Sequence, residues 1–372
     1  MCGIAGTFQA SQVKKDDVAS MIEAIGYRGV DEKGVHAIGP CVLGHARLAV
    51  VDRENGKQPM SNEDGTVWVT FNGEIYNFVE LREELKKKGH TFKSRCDTEV
   101  LVHLWEEEGE KIKDHLIGMY AFLVWDEKKK KGILARDRQG IKPCFIAPYK
   151  GGIAFASEMK AILTLPDFKR EINRNTLYQV FAFNYPPLPE TCFKGIQHLM
   201  PGTFLRLEQG KAPEAVQYWH WPIEQERRDA SLEEFGALLD DSIRLQMRFD
   251  VAGGLFLSGG VDSSVLAHHL TKIWPKPGLE AIGLEFKTPG FSELSQSEFV
   301  AQKYGIKLHT LEIKPQDIPE IAEKVVYHAE EPHGDFSYFL IYQLARTAHA
   351  QGRVVMFNGD GPDEALLGLG HN

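Results

Sequence analysis

A cysteine at position 2, followed by Gly3, Ile4, Ala5 and Gly6, is the first stretch of this sequence with reactive chemistry in it. Removal of Met1 would leave Cys2 with a free α-amino group on the residue that carries the thiol. The amine titrates at about 7.7–8.0 and a thiol at about 8.5, so the amine can act as base for its own side chain, directly or through water. The small residues that follow let backbone approach closely before the chain enters a buried strand. Further on, Asn72 and Gly73 offer an amide and a backbone N–H, donors suited to an oxyanion. Arg47, in GHARLAVVD, can grip a carboxylate through two parallel hydrogen bonds. Glu74, and Asp97 in RCDTEV, can receive an ammonium group. Each of these alone reads as an ordinary turn or ion pair. Together they describe a site for an amino-acid head with a side-chain amide, and glutamine fits.

A second constellation lies in GGLFLSGGVDSSVLAHHL. Leu255, Phe256 and Leu257 read as a short buried strand. Ser258, Gly259 and Gly260 form a tight turn, and Asp262, Ser263 and Ser264 open a helix. Strand, glycine turn and helix N-terminus make an anion cradle of backbone N–H groups and helix dipole. The lysine of a GxxxxGK[ST] loop is absent, and no GxGxxG follows a strand, so a pyrophosphate bound with Mg²⁺ fits best. Asp262 can help hold that ion. After the strand RVVMFNG, Asp360, Asp363 and Glu364 crowd negative charge into GDGPDE, which favours a cation or a basic group nearby.

The motifs MCGIAG, GHARLAVVD, FNGEIYN, CDTEV and ARDRQGIKP, in that order over about the first 200 residues, resemble the class II glutamine amidotransferase domain of the glutamine-dependent asparagine synthetase family. SGGVDSS and NGDGPDE resemble the ATP pyrophosphatase domain of the same family. The resemblance implies an α+β N-terminal-nucleophile sandwich of two antiparallel sheets between helices, followed by a doubly wound α/β domain. It implies that Cys2 attacks the glutamine amide, with Asn72 and Gly73 as catalytic donors and Arg47, Glu74 and Asp97 as binding residues. It places ATP against Leu257, Ser258, Gly259, Gly260, Asp262, Ser263, Ser264, Ile282, Asn358 and Gly359, and Mg²⁺ against Asp262, Asp360 and Asp363. ATP adenylates a carboxylate, aspartate first among the acceptors, and ammonia crosses a dry channel to attack the acyl adenylate. A uronic acid sugar or a peptide is the alternative acceptor. A glutaminase with a degenerate partner domain and a non-catalytic scaffold are the remaining readings. EEPHGDFS, residues 330–337, is expected near the acceptor pocket, and a homodimer is compatible with the family.

Two departures stand out. Where the family usually has His-Arg-Gly-Pro-Asp this chain has Tyr27-Arg28-Gly29-Val30-Asp31, which predicts a freer loop near the glutamine site. The motif GDGPDE is followed by Leu367-Gly368-Leu369 instead of the usual glycine-tyrosine. The apolar ending reads as an incomplete synthetase half, and the chain alone is expected to hydrolyse glutamine but form amide poorly.

The elements that must position these residues are legible from periodicity. In VWVTF, Val67, Val69 and Phe71 share one face of a strand. Ser231 with Glu234, and Ser295 with Glu298, read as capping boxes that open helices. LEAIGLEF, IKLHTLEI and RVVMFNG are strands between helices at 295–304, 318–329 and 339–351, an alternating α/β pattern. Expected boundaries are an amidotransferase domain over 1–210, a linker over 211–230 and a synthetase domain over 231–372. Tyr218, Trp219 and Trp221 are expected to pack between domains.

With 372 residues, 43% hydrophobic and 26% charged, the chain has material for two cores. A net charge of −9 disfavours nucleic acid and anionic membrane as partners, and no apolar run reaches membrane-spanning length. The five cysteines are odd in number and widely spaced, so neither a disulfide framework nor a zinc site is expected from them. A reducing cytoplasm fits, with Cys41, Cys96, Cys144 and Cys192 as small buried residues.

Overall fold

The computed structural model describes residues 1–222, 231–275, 278–287 and 293–366. The charged segment EQERRD and the apolar ending after Leu366 lie outside the described residues. The chain divides into two compact units, one of residues 1–226 with 330–334 and one of 227–329 with 335–372.

In the first unit two antiparallel sheets stack face to face. One runs, edge to edge, through Gln197–His198, Phe145–Tyr149, Gly152–Ala156, Gly3–Phe8, Cys41–Arg47 and Glu32–Ile38. The other runs through Glu214–Gln217, Thr203–Glu208, Lys131–Arg136, Gly118–Asp126, Val67–Ile75 and Met60–Ser61. Strand alternation sorts the side chains into three layers. Ile4, Phe8, Leu43, Leu123, Trp125, Leu134 and Phe155 fill the space between the sheets. Ala5, Ala46 and Ala154 turn outward onto Met21, Ile22 and Met159 of the helices Lys15–Ala24 and Met159–Ile162. Val67, Val69, Phe71, Phe122 and Val124 turn outward from the second sheet onto Leu81, Leu101 and Trp105 of Phe78–Lys87 and Glu99–Glu108. The shared face expected of Val67, Val69 and Phe71 is therefore the face under these helices.

The second sheet extends further along the chain than its hydrophobic pattern suggests, because Glu214–Gln217 pairs with Thr203–Glu208. Tyr218 belongs to the first unit. Its hydroxyl donates to the Arg136 carbonyl at 2.8 Å and lies 2.9 Å from the Tyr120 hydroxyl.

The second unit has a parallel sheet in the order Lys307–Glu312, Glu280–Glu285, Gly253–Phe256 and Val355–Phe357. Leu255, Leu257, Ala281 and Phe357 pack with Ala267, Leu270, Val300 and Ala301 of its helices. The Ser231 box is formed, with Glu234 N–H donating to Ser231 Oγ at 3.1 Å and Ser231 N–H to the Glu234 carboxylate at 3.1 Å. The Ser295 box is not. The helix Leu294–Tyr304 begins one residue earlier, with Glu293 at its cap, so Ser295 sits inside the first turn. Its hydroxyl turns instead to Gln296 Oε1 at 2.9 Å.

Two phenylalanines of the first unit separate core from surface. Phe122 is fully buried and Phe181 is 81% exposed. Phe122→Ala is expected to cost about 3–5 kcal/mol. Phe181→Ala is expected to stay within about 0.5 kcal/mol of the parent. Urea unfolding of the two variants side by side checks the layer assignment.

Candidate functional sites

The first site is built on the tip of a central strand. Gly3–Phe8 lies between Cys41–Arg47 and Gly152–Ala156, with Gly3 opposite Ala46. Ser157 closes the end of the strand. Its Oγ accepts Ile4 N–H at 2.9 Å and its own N–H donates to the Ile4 carbonyl at 2.8 Å. Cys2 thus enters the site from a fixed backbone. Its carbonyl accepts Arg28 Nε at 2.9 Å, and Arg28 Nη1 pairs with Glu158 Oε1 at 2.7 Å. The Tyr27 hydroxyl donates to the other Glu158 oxygen. The Leu48 N–H lies 3.4 Å from Cys2 Sγ. Burial pushes the Cys2 thiol above its ordinary range, and burial also lowers the Met1 amine to about 6.

The loop 27–31 is tied on both sides of Val30. Arg28 holds one side, and Asp31 accepts Ala49 N–H at 2.8 Å on the other. A Cβ on Gly29 would come within 2.2 Å of the Ala46 carbonyl, so this glycine lets the loop lie directly on the strand. Val30 itself is 70% exposed, and the freer loop expected from the missing proline is not what these bonds give.

Asn72 and Gly73 lie within the strand Val67–Ile75, which continues past the point where the alternating pattern ends. Asn72 is 1% exposed, and neither its amide nitrogen nor its oxygen has a hydrogen-bond partner. Buried polar groups are rarely left so, and an unused donor and acceptor pair is what a polar ligand would satisfy. Glu74 and Asp97 share the neighbourhood of Cys2, since the thiol feels both carboxylates. Burial, followed by the Asp97 charge, holds the Glu74 carboxyl well above its usual range. Burial also raises Asp97 to about 6, although Ile75 N–H donates to its Oδ2 at 2.9 Å. Two desolvated acids side by side favour an arriving ammonium.

Arg47 is buried and already engaged. Nη1 donates to the Arg53 carbonyl at 2.8 Å and to Glu32 at 3.2 Å, and Nη2 donates to the Asp52 carbonyl at 2.7 Å. It therefore shapes the loop at 51–53, which its side-chain chemistry alone did not indicate. Sequence reasoning also gave no role to Arg28, Glu158 or Lys142. Arg28 and Lys142 lie inside motifs that were visible, and Glu158 lies outside them. Lys142 is buried, and desolvation lowers its pKa while the Glu74 charge opposes that shift. Its backbone is set by Arg136, which donates to the carbonyls of Lys142, Leu199 and Gly140, and by Asp137, which accepts Lys142 N–H at 3.0 Å.

The second site is a cavity of about 350 Å³ in the second unit. Leu257, Ser258, Gly260, Asp262, Ser263, Ile282, Asn358, Gly359 and Asp360 line it, with Leu340, Ile341 and Leu344 as an apolar wall. Gly260 caps the helix Val261–Ile273, and Gly259 takes a φ of +85° with no room for a Cβ, which would lie 2.5 Å from Ser297 N. Ser263 Oγ is 3.0 Å from Ser258 Oγ and accepts Gly259 N–H at 3.2 Å. Ser264 turns back to the Gly260 carbonyl at 2.7 Å. Gly259 and Ser264 face an adjoining hollow with Val261 and Gln296 rather than the main cavity. Asp262 and Asp360 both border the cavity, whereas Asp363 lies on the short helix Pro362–Leu366 outside its lining. Segment 330–334 packs in the first unit. Glu330 accepts the N–H groups of Met159 and Lys160 at 2.8 and 2.7 Å, and Glu331 accepts Cys192 N–H at 2.6 Å.

A stacked-sheet unit with a cysteine directly before its first strand, and a parallel-sheet unit with a serine-glycine loop at a helix N-terminus, are the two folds that the resemblance to an amidotransferase and a synthetase domain implies. A glutamine amidotransferase domain matches residues 1–219 and an asparagine synthase domain matches 234–371. The chain belongs to the glutamine-hydrolysing asparagine synthetase family. It is 32% identical to asparagine synthetase (glutamine-hydrolyzing) 1 of Bacillus subtilis over 99% of its own length and 59% of that protein's. It is 38% identical to number 3 of the same organism over 72% of its length and 44% of that protein's. Against asparagine synthetase (glutamine-hydrolyzing) 2 of Arabidopsis thaliana it is 32% identical over 99% of its length and 61% of that protein's. The chain thus spans between two fifths and three fifths of these relatives.

The raised acid near the thiol has a consequence for stability. A carboxyl whose folded pKa lies at about 6, above its ordinary 3.8, favours the fold while protonated and loses that contribution as pH rises through about 4 to 6. Asp97→Asn keeps an acceptor for Ile75 and removes the charge. It is expected to be more stable than the parent at pH 8 and to lose that advantage near pH 4. Urea unfolding at both pH values checks the sign.

Proposed function

We propose that this chain hydrolyses glutamine at Cys2 and adenylates the side-chain carboxylate of aspartate in its second unit, so that the ammonia released ends in asparagine. The observation that carries the proposal is the gathering of the Cys2 thiol with two desolvated acids, Glu74 and Asp97. With Met1 removed, the Cys2 amine takes the thiol proton, and Sγ attacks the side-chain amide carbon. Asn72 and the Gly73 N–H stabilise the oxyanion. The C–N bond breaks, the proton goes to the departing ammonia, and water then cleaves the thioester to glutamate. Glu74 and Asp97 hold the substrate ammonium. Arg47 provides positive charge for its α-carboxylate, since its partners other than Glu32 are neutral carbonyls.

In the second unit, Leu257 and Ile282 flank the adenine or ribose, Asn358 and Gly359 contact the nucleotide, and Ser258 to Ser264 cradle pyrophosphate. The acceptor carboxylate attacks the α-phosphorus, pyrophosphate leaves, and ammonia displaces AMP from the acyl adenylate. Asp262 and Asp360 are the residues that would hold Mg²⁺. Two carboxylates lining the same cavity fit an ion that takes the rest of its ligands from phosphate and water, and Asp363 lies outside that lining. Bound there, Mg²⁺ would neutralise phosphate charge. Five free cysteines suit a reducing cytoplasm, and a homodimer is carried over from the family alone.

Cys2→Ala is expected to abolish ammonia release from glutamine, and Asn72→Ala to lower its kcat by about 10²–10³-fold. Asp262→Ala is expected to retain ammonia release and lose aspartate-dependent pyrophosphate release. Ammonia and pyrophosphate assays run in parallel check all three. Pyrophosphate release with another carboxylate in place of aspartate would reassign the acceptor.

A further inference from the structure

One polar cluster in the first unit serves neither site. Glu63, His90 and His103 bring ligand atoms within 4.8 Å of one another, and Glu106 meets the two histidines. His103 and Glu106 stand one turn apart on the helix Glu99–Glu108, His90 follows the helix Phe78–Lys87, and Glu63 precedes the strand Val67–Ile75. The inward-facing atoms are specific. His103 Nδ1 lies 3.2 Å from Glu106 Oε2 and 3.7 Å from Glu63 Oε2, and His90 Nδ1 lies 3.7 Å from Glu106 Oε2. A tetrahedral ion with bonds of about 2.0–2.1 Å separates its ligand atoms by about 3.4 Å.

On Glu63, Glu106 and His90 the atom facing away is held by a neighbour. Glu63 Oε1 accepts Thr91 N–H at 3.0 Å, and Glu106 Oε1 accepts the Asn62 amide at 2.8 Å. His90 Nε2 lies 3.0 Å from Glu107, and His103 Nε2 lies 4.0 Å from Glu99. That His103 atom is buried without a hydrogen bond, and the whole residue is 1% exposed. His90 thus presents one nitrogen inward and the other to a carboxylate, the arrangement that metal-ligating histidines use.

We infer that Glu63, His90, His103 and Glu106 form a structural zinc site. Two neutral imidazoles and two carboxylates balance the charge of Zn²⁺ and offer the nitrogen and oxygen donors it accepts. The ion would staple the segment 90–98 to the helix that follows it. That segment carries Asp97, so the site would fix the backbone that presents this acid.

Titration of the metal-free full chain with Zn²⁺ alone, against a chromophoric chelator, tests the assignment. One equivalent is expected per chain, with nitrogen and oxygen neighbours and no sulfur by X-ray absorption. His90 is on the rim, so His90→Ala should fold by circular dichroism and lose the uptake. Glu107→Gln, which meets the cluster only at the outer nitrogen of His90, should weaken it about 10–100-fold. Cys2→Ala should leave it unchanged. No uptake by the parent chain, sulfur among the neighbours, or equal uptake by folded His90→Ala would each overturn the assignment and leave an ion-paired histidine cluster.

Discussion

The bond from Arg28 to the Cys2 carbonyl is the interaction on which the first unit's chemistry rests. A chain terminus is ordinarily frayed, and a nucleophile there has no defined direction. Here the residue after Cys2 already pairs within a sheet, and Arg28 fixes the one peptide that the sheet does not reach. Arg28 is itself held by Glu158, with side chains only 9% and 8% exposed. Breaking a buried pair of this kind by removing one partner typically costs about 3–5 kcal/mol, because it strands the other charge. Tyr27 and Lys160 add to the same carboxylate, so Glu158 is over-determined and Arg28 has one position available to it.

The acids opposite the thiol follow a different logic. Glu74 and Asp97 are placed by strong backbone constraints, the one by the ladder of Val67–Ile75 and the other by Ile75 N–H. Their carboxyls are poorly compensated, and desolvation raises both. Such strain is tolerable because the layers beneath are well packed, with Leu123, Trp125 and Phe122 fully buried. The core carries the stability, and the site carries the unsatisfied charge and the unpaired Asn72 amide.

Much of this was legible in the sequence, for identifiable reasons. Strands with strict alternation, such as Val67–Phe71, announce their buried face, and the motif that opens on Cys2 keeps its reactive residues close in number. The SGGVDSS loop encodes its own geometry, since only glycine accepts the Gly259 conformation. What escaped were contacts that depend on tertiary approach. Arg47 has the chemistry of a clamp, and that chemistry does not announce its bonds to the carbonyls of a loop four to six residues away. Ser295 had the right spacing for a cap, yet the helix starts one residue earlier. Glu158 is joined to Arg28 across 130 positions, and no local pattern can announce such a pair. The domain limits and the individual site roles rest on chemistry rather than on the fold.

The two sites place opposite demands on their surroundings, and this explains why separate folds carry them. The proposed thiol site holds two buried carboxylates whose pKa values burial raises, a low-dielectric setting. A cavity that takes a nucleotide, as proposed for the second unit, must instead present backbone N–H groups and a helix N-terminus to multiple phosphate charges. Without a cation between them, acids such as Glu74 or Asp97 in such a cradle would repel the phosphates, and an exposed serine-glycine loop beside Cys2 would let water relax the raised acids. A parallel sheet delivers helix N-termini at the carboxyl ends of its strands, as Gly253–Phe256 delivers the helix Val261–Ile273. A stacked antiparallel pair delivers a half-buried residue just before a strand, as at Cys2. Each fold supplies what the other would spoil, and the chain joins them in sequence rather than blending them into one pocket.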